Sequence, residues 1–170
     1  MGTTIRVAVL MGSDSDWPTM EKCVSQLADL GLEAAVEVMS AHRTPERVRQ
    51  FARDAQAAGF EVLIAAAGLA AGLAGTIAAN TTLPVIGVPI ASGPLQGVDA
   101  LLSTVQMPPG VPVATVGIGE AGARNAALLA AQIIARRDPE IDAAVRRFKE
   151  TLVEGVEKKN RALQTRLRKL

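Results

Sequence analysis

The side chains best suited to chemistry lie in two short polar segments, Gly12-Ser13-Asp14-Ser15-Asp16 and Ser40-Ala41-His42-Arg43-Thr44-Pro45. The second carries the only histidine of the chain. Imidazole is the side chain whose ordinary titration range spans neutrality, so a general acid–base step at pH 7 would most naturally use His42. Arg43 offers a planar fork of donors suited to phosphate or carboxylate. In the first segment, backbone N–H groups at a helix start attract anions, and the hydroxyls of Ser13 and Ser15 can donate to a phosphate or ribose. Serine and aspartate also cap helices, and taken alone this segment reads first as a cap. It has neither a GxGxxG pattern nor a Walker lysine, which argues against a dinucleotide or NTP site.

Three glycine-bearing stretches complete the set: Ala66 to Gly75 (AAGLAAGLAG), Ala91 to Gly97 (ASGPLQG) and Gln106 to Gly110 (QMPPG). Glycine permits a backbone to approach a ligand closely, and equally permits tight turns. With no charged group of their own, these stretches read as walls of a pocket rather than as catalysts.

The elements that would position these segments alternate strand and helix with no break long enough to be a linker, which predicts one α/β domain over residues 1–170. Ile5 to Met11 is a mostly apolar run, as expected of a parallel strand covered on both faces. Trp17, Met20, Cys23, Val24, Leu27 and Leu30 then recur at helical spacing, with Pro18 in the first turn and Gly31 as the stop. A second strand, Ala34 to Met39, leads into the His42 segment. There Thr44 can cap and Pro45 can open a helix that ends near Gly59. Further strands are expected at Glu61 to Ala67, Pro84 to Val88 and Pro112 to Ile118, with helices at Ala70 to Ala79, Val98 to Val105 and Gly119 to Ala135. The last of these is so rich in Ala and Leu that burial on more than one side is expected. Residues 138–170 read as an amphipathic helical extension, weakened at Gly155.

Ligands of open parallel sheets bind outside the carboxyl ends of the strands, and both polar segments fall there. The chain has 170 residues, with 18 basic and 17 acidic side chains, three Phe, one Trp and no Tyr. The basic residues gather in the last quarter without interleaved aromatics, so nucleic acid is not an expected partner. Cys23 is the only cysteine, which excludes an internal disulfide and a thiolate cluster within one chain. Met1 to Arg6 runs into the first strand without the pattern of a signal peptide, and no apolar stretch approaches about 20 residues. A soluble, cytoplasmic protein without a membrane partner is the expectation.

Taken together, GSDSDW, SAHRTP, the Ala/Gly run before LPVIGVPI, and VQMPPGVPVATVGIG followed by NAALLAAQI resemble the class I N5-carboxyaminoimidazole ribonucleotide mutase family of purine biosynthesis. The likeness runs from about residue 5 to about residue 150. It is closer to this class, through SAHRTP and LPVIGVP, than to the related class that carboxylates aminoimidazole ribonucleotide with free CO2. It implies a flavodoxin-like α/β/α sandwich, a homo-octamer with sites at subunit contacts, and neither metal nor organic cofactor. It implies conversion of N5-carboxyaminoimidazole ribonucleotide into 4-carboxy-5-aminoimidazole ribonucleotide by decarboxylation and recarboxylation.

By motif, the resemblance makes His42 the proton carrier and gives Ser13, Ser15, Asp16, Ser40 and Arg43 to the ribonucleotide substrate. It makes Gly12, Ala71, Gly72, Leu73, Met107 and Pro108 the pocket wall. One position departs from the family pattern: where AAHLAG would carry a second histidine, this chain has Gly72. That departure leaves open a carboxylase or decarboxylase of a related aminoimidazole ribonucleotide, or a nucleotide-binding relative without turnover.

Overall fold

The computed structural model describes residues 5–168; the expectations for residues 1–4 and 169–170 lie outside them. Strand β1 (Val7–Met11) is wholly buried and pairs in parallel with β2 (Ala34–Val38) on one side and β3 (Val62–Ala67) on the other. β3 pairs with β4 (Val85–Pro89), and β4 with β5 (Ala114–Thr115), giving the parallel order β2-β1-β3-β4-β5. The expected central position of the first strand and the flavodoxin-like order are both present.

Alternation along β1 divides the core. Val7, Val9 and Met11 face helices α1 (Trp17–Asp29) and α5 (Gly119–Ile134), where Met20, Cys23, Leu27, Ala123, Ala127 and Ala130 are buried with them. Ala8 and Leu10 face α2 (Pro45–Asp54) and α3 (Leu73–Ala78), joining Val48, Ala52, Leu73 and Ile77. Each fully buried Leu or Ile contributes about 1.5–3 kcal/mol by leaving water. On the second face α4 (Val98–Val105) crosses close over β4: a Cβ on Gly87 would lie 2.3 Å from Thr104 Cγ2, so only glycine fits. α5 packs against α1 and also meets α6 (Pro139–Leu167), as its composition predicts, while Glu120, Arg124 and Asn125 stay exposed.

The second helix ends at Asp54 and continues as turns to Gly59, short of the expected helix end near Gly59, and three further features differ from expectation. The third helix begins at Leu73 rather than Ala70, because Leu69 and Ala71 adopt positive φ (55° and 31°) that no right-handed helix allows. The fifth strand keeps only two of its expected residues. It is an edge strand whose pairing with β4 is confined to Ala114 and Thr115, between Pro112, which has no N–H, and the left-handed Gly119. Thr44 stands at the start of α2 without its hydroxyl capping that helix.

α6 opens on an Asp138 cap that accepts from the N–H groups of Glu140 and Ile141. It buries Ile141 and Val145 against the body, and from Lys149 to Arg168 every residue except Gly155 is exposed. Among the described residues no helix is long and apolar enough to cross a membrane.

Candidate active site

The loop after β1 continues the sheet by one bond, Gly12 N–H to Ala66 O at 2.9 Å, and then turns sharply. Ser13 and Asp16 cap one another: Ser13 N–H donates to Asp16 Oδ2 at 3.1 Å, and Ser13 Oγ accepts from Ser15 N–H at 3.3 Å. Ser15 Oγ also donates to Ser13 Oγ at 2.8 Å, which places two hydroxyls side by side at the mouth of the turn. Asp16 is only 6% exposed. Burial raises its carboxyl above the ordinary range, opposed by N–H bonds from Ser13 and Gly12 and reinforced by Asp14. The capping reading of this segment is therefore present, and so is its placement at the sheet's carboxyl end.

The loop after β2 is held by a local knot. Ser40 N–H donates to Thr44 Oγ1 at 3.0 Å, Thr44 Oγ1 donates to Ser40 O at 3.1 Å, and Arg43 N–H donates to Ser40 Oγ at 3.2 Å. The Thr44 hydroxyl is spent on this turn, which is why it does not cap α2. His42 stands exposed at the apex. Arg43 Nη2 donates to Gly12 O at 3.0 Å and ties the second loop to the first. That bond uses one of five guanidinium donors and leaves the others free for an anion.

The third wall is the turn between β3 and α3. A Cβ on Gly72 would come within 3.3 Å of His42 Nε2, so the imidazole lies directly beside that residue. A Cβ on Gly68 would overlap Ser92 Oγ at 2.1 Å, so the hydroxyl of the loop after β4 sits against bare backbone. The three loops and Ser92 enclose a cavity of about 500 Å³. It opens between the carboxyl ends of β1 and β3, where the sheet order reverses and parallel sheets hold ligands.

Ten of the twelve residues singled out from the sequence line this cavity: Gly12, Ser13, Ser15, Asp16, Ser40, His42, Arg43, Ala71, Gly72 and Leu73. Met107 and Pro108 do not. Met107 instead lies over Gly75 in α3, its Sδ and Cε 3.1 Å from where a Cβ there would be. Among the described residues no three His, Cys, Asp or Glu side chains converge as metal ligands would. The arrangement offers a titratable imidazole, an arginine with free donors, a buried carboxylate and paired hydroxyls around a small-residue floor. Such a set can hold a phosphorylated sugar and move a proton on the group attached to it.

A family model described as AIR carboxylase matches residues 6–154. The chain belongs to the AIR carboxylase family. Similar AIR carboxylase family proteins include the N5-carboxyaminoimidazole ribonucleotide mutase of Mycobacterium tuberculosis, 52% identical over 163 residues, 96% of this chain and 92% of that protein. The mutase of the same name from Escherichia coli is 55% identical over 136 residues, 80% of each chain. A crystal structure of Treponema denticola PurE superposes with a TM-score of 0.83 at 32% identity, covering 92% of this chain and 97% of that one. The family match ends inside α6, and the exposed arm of that helix continues beyond it.

Sequence reasoning left out Ala67, Gly68, Leu69, Ala70, Ser92 and Ala41 as individual lining residues of the cavity. The first four were legible only as a glycine-bearing wall. Ser92 had a usable signal, as the one hydroxyl in ASGPLQG directly after a strand end.

Proposed function

We propose that this chain interconverts N5-carboxyaminoimidazole ribonucleotide and 4-carboxy-5-aminoimidazole ribonucleotide as an isomerase of purine biosynthesis, with residues 1–170 forming one α/β unit. The observation that carries the reading is the meeting of His42, Arg43, Asp16 and the Ser13–Ser15 hydroxyls in one cavity. Membership of a family whose similar members bear the mutase name supports it.

The ribose-phosphate sits on the first two loops. Arg43, already fixed by the Gly12 carbonyl, turns its remaining donors to the phosphate, and Ser13, Ser15 and Ser40 add hydroxyls. Asp16, held at the turn, accepts from a ribose hydroxyl. This grip delivers the imidazole ring of the substrate to His42. In the first step the N–C bond of the carbamate breaks and releases CO2, while His42 gives a proton to the exocyclic nitrogen and leaves a neutral amine. In the second, ring carbon C4 attacks the CO2, and His42 recovers the C4 proton. The net change is one carboxylate moved from nitrogen to carbon and one proton moved the other way. Holding CO2 beside C4 replaces a bimolecular recapture, and the small residues Ala67, Gly68, Ala71 and Gly72 leave room for it at the floor.

The family resemblance adds a homo-octamer, and the exposed apolar side chains Val36, Val38, Leu95, Val98, Leu102 and Val105 support self-assembly. In that assembly the loop with Met107 and Pro108 covers a site. A cytoplasmic location without a membrane partner accompanies this reading. The test is conversion of N5-carboxyaminoimidazole ribonucleotide to product by the purified protein, followed by absorbance, in wild type and His42→Asn. Turnover lowered by about 10²–10⁴-fold in the variant is expected, and equal turnover in both would refute the role of His42. Light scattering that gave a monomer near 17.7 kDa would refute the octamer.

A further inference from the structure

Among the described residues three that carry side chains hold positive φ: Leu69 at 55°, Ala71 at 31° and Gln96 at 53°. A left-handed backbone crowds any Cβ, so each such position persists only where its surroundings hold it. Ala71 is buried, 4% exposed, and its N–H donates to Gly68 O at 3.1 Å. Gln96 turns its side-chain amide back to donate to Gly93 O at 3.3 Å. Leu69 has neither form of support. It is 54% exposed, so little of the benefit of burying a leucine is obtained, and glycine would sit in this backbone without strain.

The place it occupies gives the reason. Leu69 lines the cavity yet is largely open to solvent, which puts it at the rim, in the turn after β3. From there its side chain reaches the loop after β4, where a Cβ on Gly93 would fall 2.7 Å from Leu69 Cδ2. The leucine thus rests on bare backbone and joins the two loops with apolar surface. The charged groups of the cavity, Asp16, His42 and Arg43, come from the loops after β1 and β2. The side built by the β3 and β4 loops carries no charged residue, and its floor of small residues is bordered at the rim by Leu69.

We infer that Leu69 is the gate that keeps CO2 in the cavity between the two steps of the reaction. The inference rests on the mutase reading, in which the N–C bond has broken and C4 has not yet attacked. At that moment the site holds a neutral amine and a small molecule with neither net charge nor dipole moment, which a wall retains better than a donor does. An isobutyl group across the rim keeps water out and CO2 in. The strained backbone beneath it is of the kind that active sites hold against the preference of the fold.

Leu69→Gly and Leu69→Ala test it, the first removing side chain and strain together, the second removing the reach of the side chain alone. Each purified variant is given N5-carboxyaminoimidazole ribonucleotide. The aminoimidazole ribonucleotide released with CO2 is measured against the C4-carboxylated product, after subtraction of the loss without protein. That ratio should rise about tenfold over wild type in both variants, because recapture depends on holding the two fragments together. The thermal midpoint of Leu69→Gly should equal or exceed wild type, since glycine relaxes a φ of 55°. An unchanged ratio in either variant would overturn the inference. So would a raised ratio that came with a lower thermal midpoint in Leu69→Gly or a changed mass in light scattering, since the leak would then follow from a loosened fold or a lost subunit contact. Wild-type protein that made no product would defeat the mutase reading and the gate with it, whereas wild-type turnover with unchanged ratios in the variants would defeat the gate alone.

Discussion

Two hollows of nearly equal size lie at opposite ends of the sheet, about 500 Å³ at the carboxyl ends of the strands and about 490 Å³ at the amino ends. The amino-end hollow is the more heavily charged, lined by Arg6, Glu33, Glu61, Asp138 and Glu140. Its main charges are already spent on one another, for Arg6 donates to both Glu61 and Asp138. At the carboxyl end Arg43 gives one bond to a carbonyl and His42 none to any protein group the structure shows. Free donors, not volume or charge density, separate a place for ligand from a place for structure.

The carboxylates of the two ends carry the same lesson. The Arg6 guanidinium, with the N–H groups of Ile141 and Glu140, holds Asp138 below its ordinary range. Burial pushes Asp16 above it. Asp138 therefore adds stability at neutral pH, and Asp16 subtracts from it when ionised.

The sharpest way to break this contrast is at His42. His42→Asn should lower turnover by about 10²–10⁴-fold while leaving the thermal midpoint near wild type; a comparable loss from Arg6→Met would erase the distinction between the two ends. Next, Arg43→Ala should raise KM about 10- to 100-fold, the worth of a charge-assisted bond to phosphate, with a smaller change in kcat. Steady-state kinetics on the substrate decide it. At the other end Arg6→Met should lower the thermal midpoint by several degrees, with kcat unchanged.

A pair of pH titrations sharpens the comparison further. The stability that Asp138 provides should be complete above pH 3.8, its ordinary value, and vanish as pH falls through the depressed folded value, so Asp138→Asn approaches wild type only in acid. Asp16 should behave oppositely. Its contribution is complete below 3.8 and is lost as pH rises through its raised folded value, so Asp16→Asn should gain on wild type with increasing pH. In denaturant melts across pH 3 to 7, a variant curve that converged on wild type where divergence is expected, or the reverse, would show the sign to be mistaken, and parallel curves would show no shift. The smallest effect concerns Cys23, whose thiol burial pushes up to about 12. It should resist alkylation at pH 8 in the folded protein and react once unfolded.

Most of the site was legible because its residues are scarce. A lone histidine beside an arginine, following an apolar run of strand length, had few other uses, and the sheet delivers it where that placement predicts. The Ser–Asp segment was ambiguous between cap and ligand loop, and the structure shows that one set of groups does the capping at the cavity mouth. The turn from Gly68 to Gly72 was not legible. Leucine and alanine are strong helix formers, and local propensity favoured extending α3 back to Ala70. Tertiary packing overrides that preference, holding Leu69 and Ala71 left-handed beside the His42 loop. The distance between Met107 and the cavity was invisible for a different reason: a loop's reach depends on how α4 lies across Gly87, which no local pattern encodes.

The Arg43 bond to the Gly12 carbonyl joins stretches thirty-one positions apart along the chain. Because the partner oxygen belongs to the opening turn and the guanidinium to the next, neither loop can be transplanted or shortened alone. Grafting this site onto another scaffold would have to carry two adjacent strands in register, and a chimera that exchanged only one of them would lose the tie between its two loops before it lost its shape.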